Sequence, residues 1–529
     1  MNEHYDVIIA GGGVSGLTAG AYCAHAGLKT LLCERNAKTG GLVGTFQHNG
    51  FSFDGGIRAF EDSGVLLPML RQLGVEMQFA PNPVTIGFGS RSVQLSDKKS
   101  LAGYAALLKS VFPQNGQEIE RIARQIEAAM RYMDVLYGID NPLFLDAELH
   151  DPKYLAKTLL PWLIRYTFNI QKASRLDEPM RQYLKKFTQN DALIDLICQH
   201  FFAATPAFFA LSYFGLYLDY RYPTGGTGVL AERLERRIEE FGGKIELNAE
   251  IARVLHGEKS VVRRDGRRFS YSRLIWAADQ SALYRALEGP LPEKARAQKA
   301  RTEKAAGIDS VLTLFIGTGL PPAAVGSACG AHAFFTPDTT GLSALPAWQT
   351  ARCGGESAMM DWVKRYLETT TYEISVPVLR DALLAPDGKT GLIVSTLFDY
   401  ELTKWFFGQN AYAALKELCA QTILRVLDSS LLPGLKDCVL FSLCATPLTI
   451  ERETANRHGA ITGWAYTNRD IPAMHRFGKI QKAVKTHLPG VLQCGHWTFV
   501  PAGMPVAVIT GKLAADAAIS ALGKKARVT

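Results

Sequence analysis

The stretch Tyr5-Asp6-Val7-Ile8-Ile9-Ala10, running into Gly11-Gly12-Gly13-Val14-Ser15-Gly16 and then the Ala-rich segment 17–27, decides the fold. An apolar, β-branched run reads as a buried strand, the glycines as a tight turn, and 17–27 as a helix. A second apolar run, 29–33, ends at Glu34. Strand, turn, helix and strand within about 30 residues form one βαβ unit. Its turn carries the spacing Gly11-x-Gly13-x-x-Gly16. Gly11 permits the turn, Gly13 lets the backbone approach a pyrophosphate, and Gly16 allows close packing of helix on strand. The helix that opens near Ser15 points free N–H groups and its positive end at the phosphates. Glu34 stands at the end of the second strand, where a carboxylate can accept hydrogen bonds from ribose hydroxyls. That acid favours a ribose with a free 2′-hydroxyl, hence FAD or NAD rather than NADP.

The rest of the chain chooses between these two. Gly40-Gly41 and Phe53-Asp54-Gly55-Gly56 follow the first unit, and a plain NAD domain has no need of them. Far downstream, Gly495-His496-Trp497 and Gly503-Met504-Pro505 offer a second glycine loop and another helix start. A long dinucleotide that ends in a tricyclic ring needs such a second cradle for its far end. The reading is therefore FAD.

Composition sets the outer limits. The chain has 529 residues, 47% hydrophobic and 20% charged, which excludes disordered, collagen-like and coiled-coil proteins and implies two or more domains. Lys+Arg 58 against Asp+Glu 50 gives +8, a mild bias that suits an anionic ligand or membrane surface and does not point to nucleic acid. Nine cysteines at irregular spacing, with no CxxC, predict a reduced cytoplasmic chain without a disulfide framework or thiolate metal site. No basic segment precedes the apolar run 5–10, so no secretory signal is expected.

Residues 100–200 read as mostly helical, with helices over 119–136 and 154–170. The segment 222–228 is a turn leading into a helix over 229–241, and 244–247 and 274–278 read as strands. The runs 311–316, 372–378 and 392–397 look like antiparallel strands, followed by a helix over 412–427. A strand at 491–494 leads through Gly495 to a helix over 505–522. The expected architecture is α/β. A Rossmann-type FAD domain of the glutathione-reductase kind is assembled from 1–95, 221–285 and 440–529. A substrate domain, 96–220 and 286–439, combines an antiparallel sheet with a helical cap over 100–220.

With these blocks in place, the chain resembles the FAD-dependent phytoene desaturase, carotenoid isomerase and retinol saturase group of the amine-oxidase-like flavoproteins. The likeness spans nearly the whole chain and is sharp in blocks. These are 7–16 with Glu34, Gly40-Gly41, Phe53-Asp54-Gly55-Gly56, Pro223-x-Gly225-Gly226, Ala445-Thr446-Pro447-Leu448-Thr449, Glu451-Arg452, Gly463-Trp464 and 495–511. The resemblance implies that Ile251 sits on the adenine and that Gly495 with Met504, Pro505 and Val506 lies against the flavin. The cofactor-binding set expected is Gly11, Gly13, Val14, Ser15, Gly16, Glu34, Arg35, Gly41, Leu42, Ile57, Arg58, Ile251, Gly495, His496, Met504, Pro505 and Val506. Two positions depart from the pattern. Leu42 replaces the Arg that amine oxidases place after the double glycine, and His496 replaces an acidic or small residue.

The implied activity is FAD-dependent oxidation or reduction at carbon–carbon double bonds of an apolar polyene, isoprenoid or related lipid: desaturation, saturation or cis–trans isomerisation. An amine- or porphyrinogen-oxidase-type flavoenzyme is the alternative, and a non-catalytic prenyl-lipid carrier of the same fold a third. His496 and Arg58 are the catalytic candidates. His496 could donate a hydrogen bond or proton as the flavin changes charge. Arg58 could hold a phosphate or stabilise anionic flavin, or merely pair with Glu61 or Asp62. Glu451 and Arg452 read as a structural ion pair. The aromatics Phe201, Phe202, Phe208, Phe209, Tyr213, Phe214, Tyr217 and Tyr220 are expected to line part of an apolar tunnel. The uncharged run 196–218 has the length of a membrane span, but Gln199, His200 and Pro206 and its tyrosines favour a pocket. In 153–175, Lys153, Lys157, Arg165, Lys172 and Arg175 flank large apolar residues, which suits peripheral contact with the inner face of a membrane. No metal and no nucleic acid are expected as partners.

Overall fold

The computed structural model describes residues 3–136, 138–145, 151–475 and 479–524. Two sheets dominate it. In the first, five parallel strands run in the order Lys244–Glu246, Thr30–Cys33, Glu3–Ala10, Arg268–Trp276 and Val491–Gln493. The pairing Ile8↔Leu31 and Ile8↔Leu274 puts the first strand at the centre. Its run of consecutive apolar residues is explained by burial on both faces. Val7 and Ile9 meet the helices Val14–His25 and Met504–Ala521, while Ile8 and Ala10 face a second core with Leu31, Leu274 and Trp276. The strand Ser260–Arg263 pairs antiparallel with the early half of Arg268–Trp276, and Ile251–Leu255 pairs antiparallel with Ser260–Arg263 in turn.

The second sheet has seven strands: Val439–Ala445, Ser310–Thr318, Thr390–Phe398, Tyr372–Ser375, His332–Thr336, Val84–Phe88 and Arg91–Leu95, in that order. All neighbours are antiparallel except His332–Thr336 beside Val84–Phe88, which is parallel. The helices Ser100–Val111, Gly116–Leu136, Leu160–Ala173, Asp191–Cys198 and Ala207–Tyr217 lie within the expected cap region, and the strand Val84–Phe88 shares an apolar core with several of them.

Three expected boundaries move. The strands Val84–Phe88 and Arg91–Leu95, assigned by sequence to the dinucleotide unit ending at 95, pair in the second sheet. Val439–Ala445 does the same, although 440–529 was assigned to the dinucleotide unit. Leu287–Glu288, placed beyond the 285 boundary, pairs back onto Ile251–Leu255. The chain passes between the sheets through ordinary helices and turns, such as Glu293–Lys304 between Leu287–Glu288 and Ser310–Thr318, and these leave no compositional mark. The run 196–218 is two helices broken at 199–206, as Pro206 suggested. Among the described residues one helix, Met504–Ala521, is long and apolar enough to cross a membrane, but it packs on Val14–His25 in the core.

Candidate active site

The site begins where the first strand ends. Gly11 has φ +109°, and a Cβ there would stand 2.9 Å from Ala277 O, so only glycine makes this turn comfortably. A Cβ on Gly16 would collide with Gly11 O, which is why helix and turn can lie in contact. Around Gly13, by contrast, a Cβ would meet nothing within 4 Å, because the residue faces a cavity. The helix that follows has no side-chain cap, leaving its first N–H groups for a ligand.

Glu34 is buried to 7% exposure. Its Oε2 accepts the Gly12 N–H at 2.7 Å and its Oε1 the Asn36 N–H at 2.8 Å. Burial raises its pKa, and the two backbone donors and Arg35 oppose that shift. Each oxygen keeps further acceptor capacity, and the residue lines the cavity. Ala249 N donates to Glu34 O at 2.7 Å, which brings Ile251 to the same rim.

The distant C-terminal blocks close the groove. A Cβ on Gly495 would lie 2.9 Å from Ser15 Oγ, and one on Gly511 would lie 2.5 Å from Ser15 O. The two ends of the chain are therefore in contact at the glycine turn. Gly495 N donates to Thr510 Oγ1 at 2.9 Å, holding the loop on its own helix. Trp464 Nε1 donates to Trp497 O at 3.0 Å and the two indoles meet edge to face at 4.7 Å. Trp497 is thus a packing residue that fixes the loop.

All the expected cofactor residues except Gly16 line one cavity of about 700 Å³. Gly16 serves packing instead. The same cavity continues between Met133, Phe202, Phe208, Phe209, Tyr213, Leu216 and Tyr220. Phe201, Phe214 and Tyr217, also expected at the tunnel, belong to the core of the helical cap.

The same cavity carries a polar wall. Arg58 is 5% exposed; its Nη1 donates to Asp54 O at 2.6 Å and also to Gly56 O, and Nη2 donates to Ser395 Oγ at 3.3 Å. It forms none of the described ion pairs, so the pairing with Glu61 or Asp62 is not made; its buried Nε has no partner. Asp54 knots two motif blocks: Oδ1 accepts Thr227 N–H and Thr45 Oγ1–H, each at 2.9 Å, and Oδ2 accepts the Tyr222 hydroxyl at 2.6 Å. The expected Glu451–Arg452 pair is likewise replaced. Glu451 accepts from Tyr400 at 2.7 Å, Arg452 pairs with Glu453, and the Arg452 carbonyl receives Arg35.

His496 lines the cavity, and burial pushes its pKa down to about 4, so at neutral pH it is a neutral hydrogen-bonding group rather than a cation.

Sequence reasoning missed four groups on this wall: Glu61, His332, Glu373 and Ser395. Burial, aided by Asp219, raises the Glu61 carboxyl to about 7. His332 Nε2 lies 3.0 Å from Glu373 Oε1, while Nδ1 lies 3.2 Å from Asn82 Nδ2, an arrangement suited to a neutral imidazole donating to a carboxylate. Burial pushes Glu373 up, but His332, Arg58 and His200 more than offset it and hold the carboxyl below its usual range. Burial lowers His332. Glu373 had one sequence signal, a lone charge in the strand Tyr372–Ser375 between buried Tyr372 and Ile374.

A nucleotide groove made by both chain ends, opening onto an apolar arm, defines a flavoenzyme of the amine-oxidase-like class. The model of the flavin containing amine oxidoreductase family matches residues 14–348, and the chain belongs to that family. It is 24% identical over 474 residues to the chloroplastic prolycopene isomerase of Arabidopsis thaliana, covering 86% of this chain and 73% of that one. It is 23% identical over 500 residues to the all-trans-retinol 13,14-reductase of Danio rerio, covering 87% and 78%. The crystal structure of an oxidoreductase from Methanosarcina mazei superposes with a TM-score of 0.60 at 12% identity, over 98% of this chain and 100% of that one, and so shares the fold.

Proposed function

We propose that this protein is an FAD-dependent oxidoreductase acting on carbon–carbon double bonds of an apolar, unsaturated lipid of the isoprenoid kind. The observation that carries this reading is the continuity of the nucleotide groove with an arm walled by Phe202, Phe208, Phe209, Tyr213, Leu216 and Met133. The curated relatives support it: their names assign them polyene isomerisation and retinol reduction.

The residues fit FAD. Glu34 would accept from the adenosine ribose, the N–H groups at 13–15 would take the pyrophosphate, and 495–497 with 504–506 would hold the ring. Bound flavin supplies reversible two-electron exchange with carbon. The chain supplies position and dryness. The arm's aromatic walls align an extended chain and exclude water, which strengthens every polar interaction at the ring. Arg58, held at the cavity by Asp54 O, would offer a fixed positive charge to a reduced, anionic ring without needing to move a proton. Desaturation removes a hydride and a proton from adjacent carbons, saturation adds them, and isomerisation returns what it removed; one arrangement serves all three.

Glu61 and Glu373 would suit a cationic amine, and the test includes that case. FAD-loaded protein is incubated anaerobically, oxidised and reduced, with polyenes, isoprenoids and primary amines. The proposal expects altered double bonds in a lipid product and no amine oxidation. Amine-driven flavin reduction with every lipid returned intact refutes it, and a colourless protein that cannot be loaded with FAD returns the reading to a lipid carrier.

A further inference from the structure

We propose that the exposed face of the helix Leu160–Ala173, with the turn before it, docks the protein on an anionic lipid bilayer. This goes beyond the enzymatic reading and does not depend on it.

Nine large hydrophobic side chains are exposed among the described residues, and five of them belong to this one segment: Leu155 (37%), Leu160 (56%), Leu163 (49%), Ile164 (54%) and Phe168 (65%). Positions 160, 163, 164 and 168 recur at helical spacing, so they form one outward row. The opposite face is occupied: Trp162 Nε1 donates to Val135 O at 2.7 Å, and Ala173 is buried. The row is therefore surplus to the core. Solitary exposed leucines are ordinary on a protein surface, but a contiguous row of this kind marks an interaction site.

Charge chooses the occupant. Lys153, Lys157, Arg165, Lys172 and Arg175 are exposed around the row, and residues 152–176 contain no Asp or Glu. A second copy of this chain, laid on the same face by a twofold axis, would set cation against cation. A bilayer carrying anionic headgroups answers both features: the row enters the acyl boundary while lysines and arginines meet phosphates. The position of the helix gives docking a use. It packs on Gly116–Leu136, whose Met133 lines the apolar arm, so the bilayer would lie one helix layer from the chamber. A water-insoluble substrate could then pass from lipid to arm without crossing solvent.

The test is flotation of the full-length protein with vesicles of equal parts phosphatidylglycerol and phosphatidylcholine, beside vesicles of phosphatidylcholine alone. The variant Ile164→Asp/Phe168→Asp should bind the anionic vesicles about tenfold or more weakly, with its melting temperature unchanged because both positions face solvent. Wild-type binding should weaken at about 0.5 M salt, where screening is strong. In a second measurement, the indole fluorescence introduced by Phe168→Trp should be quenched by lipids brominated near the headgroup. Equal vesicle binding by the aspartate variant, no preference for the anionic vesicles, or an indole at position 168 that stays unquenched overturns the proposal. So does a wild-type protein that ignores vesicles and self-associates through this face.

Discussion

Replacing Glu34 by Gln is the sharpest probe of the nucleotide groove. In the native protein both carboxylate oxygens take backbone N–H groups, from Gly12 at 2.7 Å and Asn36 at 2.8 Å. A glutamine offers one acceptor and one donor, so one of the two N–H groups must face an NH2. A buried donor left unsatisfied costs about 1–3 kcal/mol, and the unliganded variant should lose that much stability. A second, separable loss falls on the ligand. Hydrogen bonds from ribose hydroxyls to a charged carboxylate contribute about 1.5–3 kcal/mol, which converts to about a 10- to 150-fold rise in the dissociation constant of FAD. FMN, which lacks the adenosine, should bind wild type and variant alike. Flavin fluorescence titration of the stripped protein reads the affinities, and thermal melting without ligand reads the stability. An FAD affinity within twofold of wild type, or an equal loss for FMN, would refute the placement of the ribose on Glu34.

The remaining predictions concern the wall and the joint. The Glu61 carboxyl is raised to about 7, so the native state holds its proton longer than the unfolded chain; stability should fall by up to ~3 kcal/mol as pH rises from about 4.5 to about 7. Glu61→Gln should erase that slope in a comparison of pH-dependent melting curves. His496 is lowered to about 4, so its contribution has the opposite sign: stability is full above about 6.5 and lost, by up to ~3 kcal/mol, as pH falls toward about 4. His496→Gln should flatten that acid limb, and an unchanged limb would mean that the imidazole is not buried in its neutral form. Gly511→Ala places a Cβ 2.5 Å from Ser15 O; overpacking of that kind costs about 1–3 kcal/mol and should lower both melting temperature and FAD retention. Full FAD retention with an unshifted melting temperature would show that the helices Val14–His25 and Met504–Ala521 are not pressed together there.

The dinucleotide groove was readable because its chemistry is written in local backbone demands. Gly11 and Gly16 are required by a turn and a contact within six residues of each other, and Glu34 follows at the end of the next strand. The far cradle at 495–506 was readable for the same reason, as a second glycine turn before a helix. The polar wall was not. His332, Glu373 and Ser395 come from three separate strands, and only the ladder that pairs His332↔Ser375 and Glu373↔Ser395 sets them side by side. Each stands in a mainly apolar strand that carries other polar residues as well, such as Thr336, Ser375 and Thr396, so nothing in the pattern singles it out. Arg58 was singled out, but its partners were not, because Ser395 is 337 residues away and the two carbonyls it caps belong to its own turn. The domain boundaries failed where short strands such as Val84–Phe88 cross to the other sheet, since strand pattern records burial and not which sheet provides it.

The central claim is that one cavity joins the flavin's ring to the apolar arm, and ligand-induced perturbation of the flavin spectrum tests it most directly. FAD-loaded, oxidised protein is titrated anaerobically with a polyene in detergent below its critical concentration. The account predicts a saturable change in the flavin absorbance bands that is lost in Phe209→Arg, while FAD content stays at one per chain. A polyene that binds, as read by its own absorbance, yet leaves the flavin spectrum untouched in the native protein would contradict it.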